Sequence, residues 1–585
     1  MAFTKALLWS ICLFAGSICW GQSWRQAVAL PDHSIHVIDQ PAPKLLFPRG
    51  NGFPELPGFP KGFPANPNLK NVRNITLADL NGDGTDDILM PAFDKLFAFS
   101  ADSLLWVKQL EGSTWYPPSV ADVDGNGSPD IVQPTGGSQQ PGRLYLLDAN
   151  GNDWPGWPLS FDDHWMMTAA ALSDLDDDGR MEIIANELVG AAGRVHAILL
   201  DGSPINDNWP VTLDRRPAVT PSVGDLDQDG EPEIVVHSTG SRYVFGLDGQ
   251  PKPGFPIVTQ PAQRYSYQSP ILTDLDGDNY VDIIGATHGD NTAPDPEFYV
   301  MDYSGNDLSG WPVPTPDQAW TYSTPTVINL NGQTVVFMSM PNGTTEAPVV
   351  FAWDKQGQLL PGFPIVKAGG LEGIISVADV DNDNVLELVF GSNLIDPDGQ
   401  GFVHAYEMDG SGEVPGWPIQ LKGWTYLNGA APSDVNGDGR MDLTVLTYTQ
   451  HFGASTDSVF LHVFDLGIPY SPDKVAWNTY KGSPEHSGYF PSLVPSRVDQ
   501  PVFDDQLTCF PNPAADEITF RWETATGPVH ISLFDQLGQN VALSRKSVSE
   551  KENALTLNIH YLPAGLYYAL MQTDQQVSVI HFIKQ

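Results

Sequence analysis

The sequence predicts an all-β chain built from a repeated unit, on three observations. A run of nine residues with acidic or amide side chains at its first, third, fifth and ninth positions occurs seven times, mostly about fifty residues apart. A short, largely β-branched segment follows the run, as in DILM from Asp87, EIIA from Glu182, EIVV from Glu233, DIIG from Asp282 and ELVF from Glu387. With 55 Gly and 51 Pro against only 17% charged residues, the composition favours many turns between short strands over helices.

The runs read DLNGDGTDD from Asp79, DVDGNGSPD from Asp122, DLDDDGRME from Asp174, DLDQDGEPE from Asp225, DLDGDNYVD from Asp274, DVDNDNVLE from Asp379 and DVNGDGRMD from Asp434. Carboxylates packed this closely repel one another unless a hard cation sits among them, and calcium takes six to eight oxygens from a flexible loop. The sixth position must fold the chain back through a left-handed conformation. It holds Gly84, Gly127, Gly179, Gly230 and Gly439, with Asn279 and Asn384 in the other two, the residue types that tolerate it.

The expected ligands are side-chain oxygens from positions one, three, five and nine and the backbone carbonyl of position seven, with room for water. They are Asp79, Asn81, Asp83 and Asp87 with Thr85, then Asp122, Asp124, Asn126 and Asp130 with Ser128. Next come Asp174, Asp176, Asp178 and Glu182 with Arg180, Asp225, Asp227, Asp229 and Glu233 with Glu231, and Asp274, Asp276, Asp278 and Asp282 with Tyr280. The last two sets are Asp379, Asp381, Asp383 and Glu387 with Val385, and Asp434, Asn436, Asp438 and Asp442 with Arg440. About seven Ca²⁺ sites follow. An EF-hand is excluded, because its bidentate acid at position twelve is replaced by Met90, Gln133, Ala185, Val236, Gly285, Phe390 and Val445.

A second motif travels with the loops: a strand ending in acid and glycine, then an aromatic-proline turn. Examples are LYLLDANGNDWPGWP from Leu144, YVFGLDGQPKPGFP from Tyr243, FAWDKQGQLLPGFP from Phe351 and VHAYEMDGSGEVPGWP from Val403. Several strands per unit at a fixed period indicate a propeller or solenoid. Between Asp282 and Asp379 the spacing doubles, and STPTVINLNGQTVVF from Ser323 fills the gap with Asn329 where the first Asp belongs and most other acids lost. This reads as an eighth unit without an ion. Eight blades are favoured over seven, with LLFPRGNGFPELPGFP from Leu45 supplying the missing half of the last blade.

Lys5, an apolar stretch from Ala6 to Trp20 and a cleavage point after Gly21 read as a secretory signal peptide over residues 1–21. The propeller then spans 22–490 and a Pro/Ser/acid linker 491–508. In 509–585, EITFRW, HISLFDQ, LTLNIHY, GLYYALMQT and VSVIHFI alternate at strand period and predict a small β-sandwich. Cys12 and Cys19 leave with the signal, so Cys509 stands alone in the mature chain, which then has no internal disulfide and no transmembrane segment.

The charge of −42 comes from 71 acidic against 29 basic residues, and 28 of the acids lie in the seven loops. Even with seven Ca²⁺ bound the balance stays strongly negative, which excludes nucleic acid as a partner through phosphate repulsion.

The loop followed by an apolar strand resembles the FG-GAP and VCBS repeats, the family that includes the integrin alpha-subunit propeller. That resemblance implies a calcium-loop β-propeller whose loop acids are structural ligands. FPNPAAD from Phe510, ISLFDQLGQNV, LPAGLYYAL from Leu562 and the closing VIHFIKQ resemble the type A sorting domain of the type IX secretion system. This second resemblance implies the type IX machinery as a partner, export across the outer membrane, and a product that is secreted or surface-attached. WNTYKGSPEHSG from Trp477 looks like the end of propeller repeats in similar exported proteins, and its His486 reads as a packing or turn residue.

Two functions fit. A non-enzymatic adhesion or binding module would present loops to a glycan or protein ligand. A secreted polysaccharide-active enzyme such as a lyase would need Lys, Arg, Tyr or His converging on an acidic sugar. The sequence carries no nucleophile elbow, HExxH motif or P-loop, and its 13 His are scattered. Arg215, Arg216, Arg242, Arg264 and His288 fall near blades four and five, where a solvated surface is the simpler expectation. The binding module is the favoured reading.

Overall fold

The computed structural model describes residues 23–29, 35–40, 42, 52–66, 72–137, 140–161, 164–166, 168–217, 219–258, 263–265, 268–289, 296–315, 321–330, 332–341, 346–449, 457–490, 507–522, 530–535, 540–541, 548–549, 554–560, 562–563, 565–572 and 577–585. The expected signal peptide and nearly all of the expected linker lie outside these residues.

The described residues form strands and two 3-10 turns, with no α-helix among them. The repeating element is a hairpin that opens on a short, mostly buried strand of small or β-branched residues. Eight such strands occur: Thr76–Ala78, Ser119–Ala121, Ala171–Ser173, Ser222–Gly224, Ile271–Thr273, Thr326–Leu330, Ile375–Ala378 and Ala431–Ser433. Each pairs antiparallel with the strand that follows it and begins a unit, numbered 1 to 8 in chain order. Unit 4 shows the simplest sheet, Ser222–Gly224, Glu233–His237, Ser241–Phe245 and Ile257–Val258 in that order. In units 1 and 2 a single pair, Ser113 opposite Gly136, merges the sheets.

Side chains on the first strands or just before them bond to the next unit's backbone around a ring. Thr76 donates to the carbonyl of Pro118, Ser119 to Ala170, Thr168 to Val219, Ser222 to Pro270, Thr326 to Ile375 and Ser376 to Ala430. The backbone amide of Asn74 makes the last link, donating to Asn428 Oδ1 at 3.1 Å and so joining unit 1 to unit 8. Strand Lys61–Pro64 pairs antiparallel with Ser458–Pro469 and adds an N-terminal strand to the last sheet. The result is a closed β-propeller, with apolar clusters packed between successive sheets, as where Val195, Trp209 and Val211 of unit 3 meet Val236 and Phe245 of unit 4.

The first strand of a blade exposes an unpaired edge to the axis, and such edges need covering. Residues 474–490 supply the cover. Val475–Trp477 pairs antiparallel with Ile375–Ala378 of unit 7, and Tyr489–Phe490 pairs parallel with Ile271–Thr273 of unit 5. Between them the carbonyls of Pro484, Glu485 and Ser487 accept from the amides of Val120, Leu172 and Val223 at 2.9, 2.9 and 3.1 Å. One segment thus stitches the inner edges of units 2, 3, 4, 5 and 7.

Two further pieces complete the description. Trp24–Ala29 and Ile35–Gln40 form a hairpin that pairs with Leu394–Ile395. At the C-terminus two four-stranded antiparallel sheets enclose Ile518, Phe520, Leu533, Leu557, Tyr567 and Phe582, forming the small sandwich.

Candidate metal centres

Each nine-residue loop is positioned by the hairpin that carries it. The ninth residue sits opposite the residue just before the first: Ala78 opposite Asp87, Ala121 opposite Asp130, Ser173 opposite Glu182, Gly224 opposite Glu233, Thr273 opposite Asp282, Ala378 opposite Glu387 and Ser433 opposite Asp442. Strand register, set by the buried apolar residues, therefore fixes where the last acid points.

Three backbone bonds recur in all seven loops. The amide of position two donates to the ninth carboxylate at 2.8–3.3 Å. The amide of position six donates to the first aspartate at 2.7–3.3 Å. The amide of position seven donates to the fifth side chain at 2.7–2.9 Å. Position six is left-handed throughout, with φ from 68° at Asn384 to 92° at Gly230, as its residue types require. Position four is left-handed as well, including Asp177 at 62° and Gln228 at 60°, which composition alone did not signal.

In five loops three carboxylate oxygens lie within 4.8 Å of one another: Asp122, Asp124 and Asp130; Asp174, Asp176 and Glu182; Asp225, Asp227 and Asp229; Asp274, Asp276 and Asp282; Asp379, Asp381 and Glu387. At that separation two carboxylates repel by about 3 kcal/mol at a surface-like dielectric. The Asp79 and Asp434 loops have Asn81 and Asn436 at position three, which lowers the local charge without removing the oxygen.

The ninth acid is buried, and burial pushes its carboxyl above the usual range in every loop, with neighbouring acids adding to the rise: to about 6 at Asp130, about 7 at Glu182, and about 8 at Asp282, Glu387 and Asp442. Asp87 and Glu233 move in the same direction for the same first cause. One oxygen of Asp87, Glu387 and Asp442 is buried without a hydrogen-bond partner. An all-oxygen donor set with orphaned buried oxygens fits a hard divalent cation and not a soft metal.

Unit 6 shows what the loop replaces. Leu330 sits directly opposite Gln333, so the hairpin closes in a turn far shorter than a nine-residue loop, and Asn329 Oδ1 accepts the Gly332 amide at 2.7 Å. The strands persist with no ligand set between them.

The other candidates resolve differently. His486 is fully buried with φ 57° and shares a 3.0 Å bond with Ser119 Oγ, so it is a packed turn residue. Arg215 and Arg216 are exposed, but Arg242 departs from the solvated surface expected of it: it is buried 4.0 Å from the centre of the Tyr299 ring. The side chains of Arg264 and His288 lie outside the described residues. Sequence reading missed Glu187, buried at the strand end opposite its loop. It bonds His164 Nδ1 at 2.5 Å and His196 Nε2 at 2.8 Å. Burial opposes its ionisation, yet the two imidazoles outweigh this and hold its pKa below the usual range.

Residues 508–585 match the secretion system C-terminal sorting domain of type IX export. No curated protein matches the chain. Among solved structures, the biofilm matrix protein Bap1 of V. cholerae is similar at 13% identity and a TM-score of 0.47, over 74% of this chain and 94% of that one. The Dos1 propeller is similar at 12% identity and a TM-score of 0.41, over 72% and 96%. At such values neither likeness bears on what this chain does.

Proposed function

We propose that the chain is an exported, calcium-stabilised propeller of the FG-GAP/VCBS kind that acts as a non-enzymatic adhesion or ligand-binding module. The observation that carries the calcium reading is the seven-fold recurrence of one donor set. In each loop three amides hold the first, fifth and ninth side chains in place, and Asp87, Glu387 and Asp442 keep a buried oxygen for an ion. With a hard cation bound, the loop acids lose their mutual repulsion and the hairpin turn becomes rigid.

The sorting domain gives the module its route out of the cell, to the surface or the medium. Extracellular calcium is abundant, and a chain with Cys509 as its single mature cysteine gains from metal ties what other exported proteins gain from disulfides. Strand Ser103–Thr114 leaves Leu104, Leu105 and Val107 between 41% and 52% exposed, an apolar strip that a protein or glycan partner would cover. The alternative is a polysaccharide lyase on the same scaffold.

Thermal unfolding with and without EGTA tests the metal: an unchanged melting temperature would refute it. Glycan-array binding without release of ultraviolet-absorbing unsaturated product supports the module, and product formation supports the lyase.

A further inference from the structure

The residue that opens the aromatic-proline turn occupies the same backbone position in seven units. Its amide donates to the third strand of its unit: Leu56 to Val463, Trp154 to Leu146, Ile205 to Ala197, Lys252 to Val244, Leu308 to Val300, Leu360 to Ala352 and Val414 to Ala405, all at 2.8–3.0 Å. Five of these side chains are aliphatic. The two exceptions both reach the ninth acid of their own loop. Trp154 Nε1 donates to Asp130 Oδ1 at 2.9 Å. Lys252 goes further: its ammonium lies 2.9 Å from Asp227, 2.8 Å from Glu233 and 3.5 Å from Asp229.

Those three acids are positions three, nine and five of the unit 4 loop, three of the four side-chain ligands expected to converge on one ion. A second lysine makes the contrast. Lys474 bonds Asp379 Oδ2 at 2.8 Å and Asn382 Oδ1 at 2.6 Å, on the rim of the unit 7 loop, and Glu387 Oε1 keeps no partner. Lys474 touches one ligand position and leaves the ninth acid alone, whereas Lys252 bridges three and leaves only the first, Asp225, with an unpartnered buried oxygen.

We infer that the unit 4 loop is closed by the chain's own amine, so that Lys252 takes the cation's place there and the loop stays free of calcium at concentrations that fill the other six. The inference rests on the calcium reading of the remaining loops. An ammonium carries its charge at a point and donates in three directions, which suits three carboxylates around one centre. Its bonds to them are charge-assisted, and one acceptor, Glu233, is buried. Calcium must break all three to enter. A competing partner that costs a factor of about thirty in affinity moves a site from the 0.1–1 mM typical of extracellular modules to about 3–30 mM. At millimolar calcium such a loop stays with its lysine. Unit 6 dispenses with the ion by shortening its turn; unit 4 keeps the full loop and supplies the charge itself.

Counting bound calcium in the full chain by native mass spectrometry at about 1 mM free calcium tests this. The wild type is expected to hold six ions and Lys252→Met seven. Ile205→Lys, which brings the same amine to the unit 3 loop at a half-buried position, is expected to hold five, and its remaining ions report that the propeller has folded. Seven ions in the wild type, or the same count in wild type and Lys252→Met, would overturn the inference while leaving the calcium reading intact. No ions in any of the three proteins would overturn both.

Discussion

The amide of Asn74 donates to the side-chain oxygen of Asn428 across 354 residues, and the Asn74 side chain itself accepts from Leu446 at 2.8 Å and donates to Thr444 at 3.3 Å. Asn74 is fully buried at φ 66°. Replacing it with Ala strands the Leu446 amide and leaves the left-handed backbone without the short polar side chain that lets Asn adopt it, which together cost about 3 kcal/mol. Asn74→Gly loses the same side-chain bonds but removes the strain, so it should fall between the wild type and Ala. Urea unfolding in saturating calcium reads the order, and an Ala variant as stable as wild type would show that this junction does not hold the ring.

Calcium should change the sign of a substitution in unit 7. Glu387→Gln preserves an oxygen for the Val380 amide, which Glu387 accepts at 2.8 Å, and removes the charge. A site at ten times its Kd contributes about 1.4 kcal/mol, so in calcium the variant should be less stable by about that amount. In EGTA at pH 9 it should be the more stable protein, since wild type then buries an unpaired carboxylate. The same ranking in both conditions would deny the loop its ion.

The loops were legible because ligand chemistry dictates residue type at fixed spacing, and because hairpin register pins the ninth residue opposite a neighbour only nine positions back. The degenerate unit was legible for the same reason. What could not be read were contacts set by the closed ring. Ser119 meets His486 across 367 residues, and Lys481, buried to 0% exposure, donates to Ser222 across 259. No local pattern marks such pairs. Lys252 escaped notice differently: at its position in a polar turn a lysine looks like solvent-facing filler, and its role emerges only when the seven turns are superposed by backbone bonding.

A buried acid beside unit 7 should carry a pH signature. Glu372 is fully buried near Arg73 and Tyr426, and burial pushes its carboxyl up to about 8 against the partial relief those two groups give. Its folded pKa thus lies above the unfolded value near 4.3. Between those two values the folded state binds the extra proton, so the contribution of Glu372 to stability is greatest below about pH 4 and is lost as pH rises towards 8. Glu372→Gln does not titrate. The stability difference, variant minus wild type, should grow in favour of the variant by up to about 1.4 kcal/mol per pH unit across that window, and a difference independent of pH would place the ionised carboxylate in a polar or paired setting.

Truncation separates the export signal from the fold. Among the described residues, Tyr489 and Phe490 are the last that pair with the propeller, and the described sandwich strands begin at Leu507. A chain ending at Pro491 should therefore unfold at the same temperature as the full propeller. A chain ending at Asp473 should not fold to the same state. It loses the strand partner of Ile375–Ala378, the acceptors of Val120, Leu172 and Val223, and the Tyr480 hydroxyl that bonds Ser269 and Thr220. Each buried amide left without an acceptor costs about 1–3 kcal/mol, so three of them approach the whole net stability of a domain. Limited proteolysis in saturating calcium distinguishes the two chains: the longer should resist and the shorter should be cut within the units it no longer stitches. Equal resistance would mean that the ring holds itself together through its inter-blade bonds, with the axial segment an addition to it and not its tie.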